Sequence, residues 1–212
     1  MKRWSLILLA LACVPLSAQK AAPRRLAPLD VHSKQDFEVS EVDRFTGTAK
    51  LVTHPRDLAR INCNGLGAAL GVCTDVISLA WRRSISRQGD TTFAFDLEYC
   101  GTAWMFMPRD GDAFGLLING EPTTFSPLAP PQTDASGCYA TASASGHSSV
   151  SESALFAVTP QQMFAIARAD SLVWRLYGSR GYKEGKVNLK NLASLRLFLA
   201  TIFPDSMLYE KP

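Results

Sequence analysis

The side chains in this sequence with chemistry to offer are few: four cysteines after residue 18, three histidines and scattered carboxylates. Cys63, Cys73, Cys100 and Cys138 contain no C-x-x-C pair, and no histidine stands at ligand spacing from any of them, so zinc is not indicated. An even set of four reads instead as two disulfides. Of the three connectivities, Cys63 with Cys73 and Cys100 with Cys138 is favoured. The first pair brackets a glycine-rich loop, and the second anchors a long Ser/Pro segment beside a strand. His32, His54 and His147 fall in no nucleophile and base arrangement. There is no G-x-S-x-G elbow, and Gly178-Ser179-Arg180-Gly181 is one residue too short to be one.

Three near misses remain. Gly65-Leu-Gly67-Ala-Ala-Leu-Gly71 resembles a dinucleotide fingerprint, but that chemistry needs a buried strand before it and a helix after it. Arg60-Ile61-Asn62 reads as a poor strand, and the flanking cysteines favour a closed loop. Asp110 to Glu121 places carboxylates at positions one, three and twelve of a calcium loop and glycine at six. Phe114 stands where a ligand is needed, and Phe114 to Ile118 reads as a strand, which cannot also wrap an ion. Asp96 and Glu98 alternate with Phe95, Leu97 and Tyr99, which describes a solvated face opposite a core face. No catalytic residue, metal site or cofactor is assigned. A site assembled by folding from dispersed carboxylates or a serine, as in a small periplasmic hydrolase, is the enzymatic alternative.

The elements that must position any site follow from the patterning. Lys2 and Arg3, the apolar run from Trp4 to Leu16, and the small residues Ser17 and Ala18 form the anatomy of a signal peptide over residues 1–18. The run is shorter than the roughly 20 residues a spanning helix needs, so no transmembrane segment is expected. Lipid attachment at Cys13 is the minor alternative to simple cleavage. Residues 19–35 read as a linker, and 36–212 as a single β-rich globular domain.

Within it, Val76 to Ile85, Phe93 to Tyr99, Trp104 to Met107, Phe114 to Ile118 and Thr123 to Phe125 read as strands of an antiparallel meander. Asn119-Gly120 between two of them is the strongest hairpin signal in the chain. Ser126 to Ser149 reads as a long surface loop, with a strand near Cys138 to Thr141. Leu155 to Val158 follows as a strand. Thr159-Pro160-Gln161-Gln162 then forms a capping box with proline at the first helical position. Leu172, Trp174 and Leu176 alternate as a strand that turns at Gly178 to Gly181 and returns over Tyr182 to Val187. Asn188 caps a helix with Leu189, Leu192, Leu195, Leu199 and Ile202 on one stripe. The expected fold is α+β: an antiparallel, strongly curved or sandwich-like sheet with two C-terminal helices packed on it. Trp81, Trp104 and Trp174 fall at core parity in these strands.

Asp43-Arg-Phe-Thr-Gly47, Ile77-Ser-Leu-Ala-Trp81, Trp104-Met-Phe106, Leu116-Leu-Ile-Asn-Gly120, Ala157-Val-Thr-Pro160 and Arg175-Leu-Tyr-Gly178 resemble a pattern recurring in uncharacterised bacterial secreted proteins and lipoproteins. The resemblance runs from about Phe37 onward and implies a bacterial envelope origin, with no catalytic residues attached.

Removing Lys2 and Arg3 from the 22 basic residues leaves 20 against 19 acidic ones, which gives nucleic-acid binding no support. The expected function is a non-enzymatic binding or interaction module, exported to the periplasm or secreted, whose partner is an envelope protein or a small ligand. If Leu172, Trp174 and Leu176 face the core, Val173, Arg175 and Tyr177 face away, and the turn adds Arg180, Tyr182 and Lys183. Arg175, Tyr177, Arg180, Tyr182 and Lys183 form the candidate interaction surface, since Arg and Tyr combine area with directional hydrogen bonds; the alternative is that one of the two helices covers this face and the residues simply frame it.

Overall fold

The computed structural model describes residues 37–40, 43, 46–61, 75–135 and 150–204. The signal peptide, the linker, the glycine-rich loop with Cys63 and Cys73, and the segment with Cys138 and His147 lie outside them. The described chain is two antiparallel sheets with two C-terminal helices packed on them, an α+β sandwich-like fold.

The large sheet contains β1 (Phe37–Ser40), β2 (Ala49–Thr53), β3 (Arg56–Ile61), β4 (Asp75–Ile85), β5 (Thr91–Gly101), β8 (Gln132–Asp134) and β9 (Val150–Ala157). Its order is β1-β2-β4-β5-β9-β8, and β3 pairs with the part of β4 that β2 leaves free. Between those two pairings the Trp81 N–H loses its ladder partner, and the buried Thr53 Oγ1 accepts it at 2.8 Å. The small sheet contains β6 (Phe114–Ile118), β7 (Glu121–Phe125), β10 (Leu172–Gly178) and β11 (Gly181–Lys186), in the order β11-β10-β6-β7.

Alternation determines which side chains meet. Ile77, Leu79 and Trp81 of β4, Phe95, Leu97 and Tyr99 of β5, and Ala154 and Phe156 of β9 share the inner face of the large sheet and are buried. Phe114, Leu116 and Ile118 with Leu172, Trp174 and Leu176 form the facing surface of the small sheet. Phe95 joins the layers, with ring centroids 5.1 Å from Phe125 and Phe156 and 5.8 Å from Phe114. Each such fully buried ring contributes about 1.5–3 kcal/mol of transfer free energy.

Helix α1 (Pro160–Ala167) starts on the expected capping box: Thr159 Oγ1 accepts from Gln162 N, and Gln162 Oε1 accepts from Thr159 N. Asn188 caps a single 3₁₀ turn, Leu189–Leu192, before helix α2 (Ala193–Ile202) begins. The leucine stripe is therefore carried by two helical pieces rather than one. Phe203 at the end of α2 packs on Phe93 of β5 and on Phe164 of α1. This places the helices at the Phe93 end of the inner face and leaves its Tyr99 end to the small sheet. Among the described residues no helix is long and apolar enough to cross a membrane.

Four local expectations change. The segment read as a loop from Ser126 carries the short edge strand β8 at Gln132–Asp134, paired with β9, while the strand expected near Cys138 lies outside the described residues. Arg56–Ile61 is a strand although its sequence is charged, because it is a bulged edge whose Leu58 and Ala59 are buried. Strand β9 begins at Val150, five residues before the apolar run that signalled it. Trp104 to Met107 is not a strand: Phe106 has φ 54°, and a carboxylate takes the N–H groups that a ladder would have used.

Candidate functional site

Strands β10 and β11 form the hairpin that carries the expected surface. Leu172, Trp174 and Leu176 are buried, and Val173, Arg175 and Tyr177 point the other way. Register places Glu184 opposite Arg175 and Tyr182 opposite Tyr177 on that outer face. Arg175 donates from Nε (3.0 Å) and Nη2 (2.6 Å) to Glu184 Oε2, and its guanidinium lies 4.2 Å from the Tyr182 ring centroid. The hydrogen bond to Glu184 is the main cause of an upward shift in the Arg175 pKa. A depression of about 140 Å³ is lined by Leu117, Pro122, Thr124, Val173, Arg175 and Tyr177, among others. At the turn, the Arg180 guanidinium stands 5.6 Å from the ring centroid of Phe106, which leans on Trp104 at 6.2 Å. Tyr182 is 56% exposed, Phe106 44% and Leu117 41%. The helices make their main contacts with each other and with the large sheet.

Lys183 does not belong to this face. It pairs with Leu176 in register and so projects inward, toward a polar cluster that ties the two sheets together at the Tyr99 end. Its ammonium donates to Asp75 Oδ2 and, at 3.0 Å, to Tyr99 Oη. Asp75 Oδ1 also accepts from Thr102 N at 3.3 Å, and the Tyr99 hydroxyl donates to Ala103 O at 3.2 Å. Burial works against the Lys183 charge, but the hydrogen bonds to Asp75 and Tyr99 outweigh it and raise its pKa. Burial likewise raises the Tyr99 pKa, with Lys183 pulling the other way. Gly101 belongs to the same arrangement: a Cβ there would collide with the Tyr99 hydroxyl and crowd Asp75.

Glu152 completes the cluster from β9, where register sets it beside Tyr99 on the core face. Only 1% exposed, it accepts three successive backbone N–H groups: Met105 and Phe106 (2.9 Å) on Oε1, and Met107 (2.9 Å) on Oε2. The carbonyls of Met105 and Phe106 accept in turn from Ser179 N, both at 3.1 Å, so the carboxylate fixes the segment on which the hairpin turn rests.

Neither Asp75, Glu152 nor Tyr99 stands out in the sequence as functional. The available signal is parity. Asp75 precedes Ile77, Leu79 and Trp81 at spacing two, and Glu152 precedes Ala154 and Phe156 in the same way, so each is a carboxylate written into a core position. As for chemistry, the cluster's oxygens are already engaged, and Tyr99 and Asp75 are 0% and 2% exposed. The arrangement is a lock between sheets.

The remaining expectations fall elsewhere. Asp96 and Glu98 lie on the outer face of the large sheet, where burial raises both pKa values and Arg82, 2.6 Å away, partly offsets the effect at Asp96. Phe114 to Ile118 is the strand that interrupts the calcium-like spacing, and no metal-ligating cluster occurs among the described residues. Of the four cysteines only Cys100, buried near the end of β5, is among the described residues. No protein-family model, curated protein or solved structure matches the chain.

Proposed function

We propose that this chain is an exported bacterial envelope protein that works by binding, with the outer face of the small sheet as its docking surface. The observation that carries the reading is the open hairpin face: Arg175, Tyr177 and Tyr182 grouped in register, Leu117 beside them, and the Arg180 and Phe106 pair at the turn. Large aromatic and arginine side chains left in solvent give nothing to the core, and they are the types that anchor interfaces. Arg180 makes no ion pair among the described residues. The partner this chemistry fits is a protein that presents a carboxylate beside an apolar or aromatic side chain. The hydrolase alternative draws no support from Asp75 and Glu152, whose oxygens hold the fold.

Export to the periplasm or the medium rests on the sequence signal at residues 1–18 and on the resemblance to secreted bacterial proteins. Two disulfides fit that compartment. The Ile61 and Asp75 pair leaves Cys63 and Cys73 each two residues beyond the last rung of β3 and β4. The Asp134, Ser151 and Cys100 register puts the end of β8 two strands from Cys100. That is about 10 Å, and the four residues to Cys138 reach up to about 13 Å.

Two measurements test this reading. Cell fractionation with N-terminal sequencing should find a chain beginning near Gln19 outside the cytoplasm; a chain that begins at Met1 and stays in the cytoplasm rejects export. A photo-crosslinking residue at position 182, used in intact cells, should capture a discrete protein that the same probe at Arg87, in the β4–β5 turn, does not. Equal labelling from both positions rejects the surface.

A further inference from the structure

The two edges of the small sheet are finished differently. In each hairpin the tight turn fixes which residues spend their backbone groups on the neighbouring strand. Gly178 and Gly181 close the β10–β11 turn, and Val187 N donates to Leu172 O at 2.9 Å, so the odd-numbered residues of β11 bond to β10. Tyr182, Glu184 and Lys186 turn their N–H and C=O groups the other way, and no described strand pairs with that side. On β7 the same alternation leaves Pro122 and Thr124 on the free side. Proline has no N–H to offer there, which blunts that edge. The β11 edge keeps every donor.

The space beside it is open. A concavity of about 580 Å³ runs along β11, with Gly185 and Lys186 on one wall and Leu58 and Ile61 of β3 on the other. A run of like charge would guard such an edge, but Lys183 is spent on Asp75 in the seam. That leaves Glu184 and Lys186, both exposed on the outer face and opposite in sign. They flank Gly185 symmetrically, and Lys186 makes no ion pair among the described residues.

We propose that β11 pairs with β11 of a second copy of this chain, antiparallel about a two-fold axis at Gly185. In this register Glu184 of each copy stands opposite Lys186 of the other, and each of those two pairs exchanges both of its N–H···O=C bonds. Glu184 keeps Arg175 on Oε2, and its Oε1 remains for the Lys186 ammonium of the second copy. The axis falls on a pair where Cα atoms approach to about 4.5 Å, and Gly185 brings no side chain to it from either copy. An axis at Glu184 would set like charges opposite each other instead, so charge selects the register. The two small sheets become one continuous sheet, with Arg175, Tyr177 and Tyr182 present in duplicate on its outer face. The proposal stands on the β11 edge and does not depend on the docking reading.

The test uses purified mature protein with no envelope partner present. Sedimentation velocity over about 10–500 µM, the range for a small interface of this kind, should show monomer passing into dimer. Glu184→Lys and Lys186→Glu, each alone, replace both attractive pairs by like-charge ones and should weaken association by about tenfold or more. An equimolar mixture of the two variants restores opposite charges at both pairs and should associate as wild type does. That rescue also shows that both variants are folded. In unmutated protein the amide hydrogens of Glu184 and Lys186 should exchange more slowly as concentration rises, while that of Thr124 on the β7 edge keeps its rate. The proposal is overturned if the wild type stays monomeric across that range, if the single variants associate as it does, or if the mixture of folded variants stays apart. A dimer in which the Glu184 and Lys186 amides exchange as in the monomer is joined elsewhere and overturns it equally.

Discussion

Two ion pairs that involve adjacent residues of one hairpin strand, Lys183 and Glu184, do different work. Lys183 meets Asp75 in the seam between the sheets, where the side chains are 29% and 2% exposed; Arg175 meets Glu184 on the open face, at 40% and 46%. The first pair is surrounded by the Tyr99 hydroxyl and backbone N–H groups, so each charge is compensated away from water. The second is screened, and exposed pairs of this kind contribute about 0–1 kcal/mol. Strand alternation alone sends neighbouring residues Lys183 and Glu184 to these opposite fates, one to hold the fold and one to present a surface.

The comparison can be broken first at the seam, where the largest effects belong. Glu152→Ala removes the acceptor for three buried N–H groups, and Asp75→Ala leaves the Lys183 charge without its carboxylate. Each should cost about 3–5 kcal/mol, the range for breaking a buried ion pair or polar network. Urea unfolding would measure it, and a loss below about 1 kcal/mol at both sites would remove the lock from the account.

A smaller loss is expected at Cys100. If it is joined to Cys138, non-reduced peptide mapping finds that bond together with the one between Cys63 and Cys73. Cys100→Ser should then cost about 2–4 kcal/mol by chain-entropy estimates. A peptide linking Cys63 to Cys100 or to Cys138 contradicts the pairing.

Alkaline titration probes the seam without mutation. The folded pKa of Lys183 lies above its ordinary 10.5, so its contribution is complete below that value and is lost as pH rises through the folded one. Tyr99 acts in the same direction: its neutral form is held above the ordinary 10.0 in the folded chain, while the unfolded chain can release the proton. Stability should therefore fall above about pH 10, and fall less steeply in Lys183→Met. Identical alkaline profiles for the two proteins would show that the seam does not titrate in this way.

How much of this was legible beforehand differs between the two faces. Alternation at Leu172, Trp174 and Leu176, the Asn119-Gly120 hairpin and the Thr159 capping box are local signals, and strands and helix sit where those signals put them. The seam was opaque because its members come from three distant strands and only the register of both sheets brings them together. Lys183 shows the limit: counted with the turn it joined the surface, and the pairing with Leu176 sends it to the core. Glu152 was hidden by Ser151 and Ser153, which make the start of β9 look like loop until Tyr99 is seen opposite. Trp104 to Met107 carries strand-forming residues, yet a buried carboxylate overrides their propensity.

The division of labour between the two faces is tested most directly by one double substitution, Arg175→Ala with Tyr177→Ala, read for thermal stability and for capture at position 182 in the same cells. The melting temperature should stay within about 4 °C of wild type, the shift for roughly 1 kcal/mol in a chain of this size, and the captured partner should be lost. A large drop in melting temperature with capture unchanged would contradict it, and would make the outer face part of what holds the protein together.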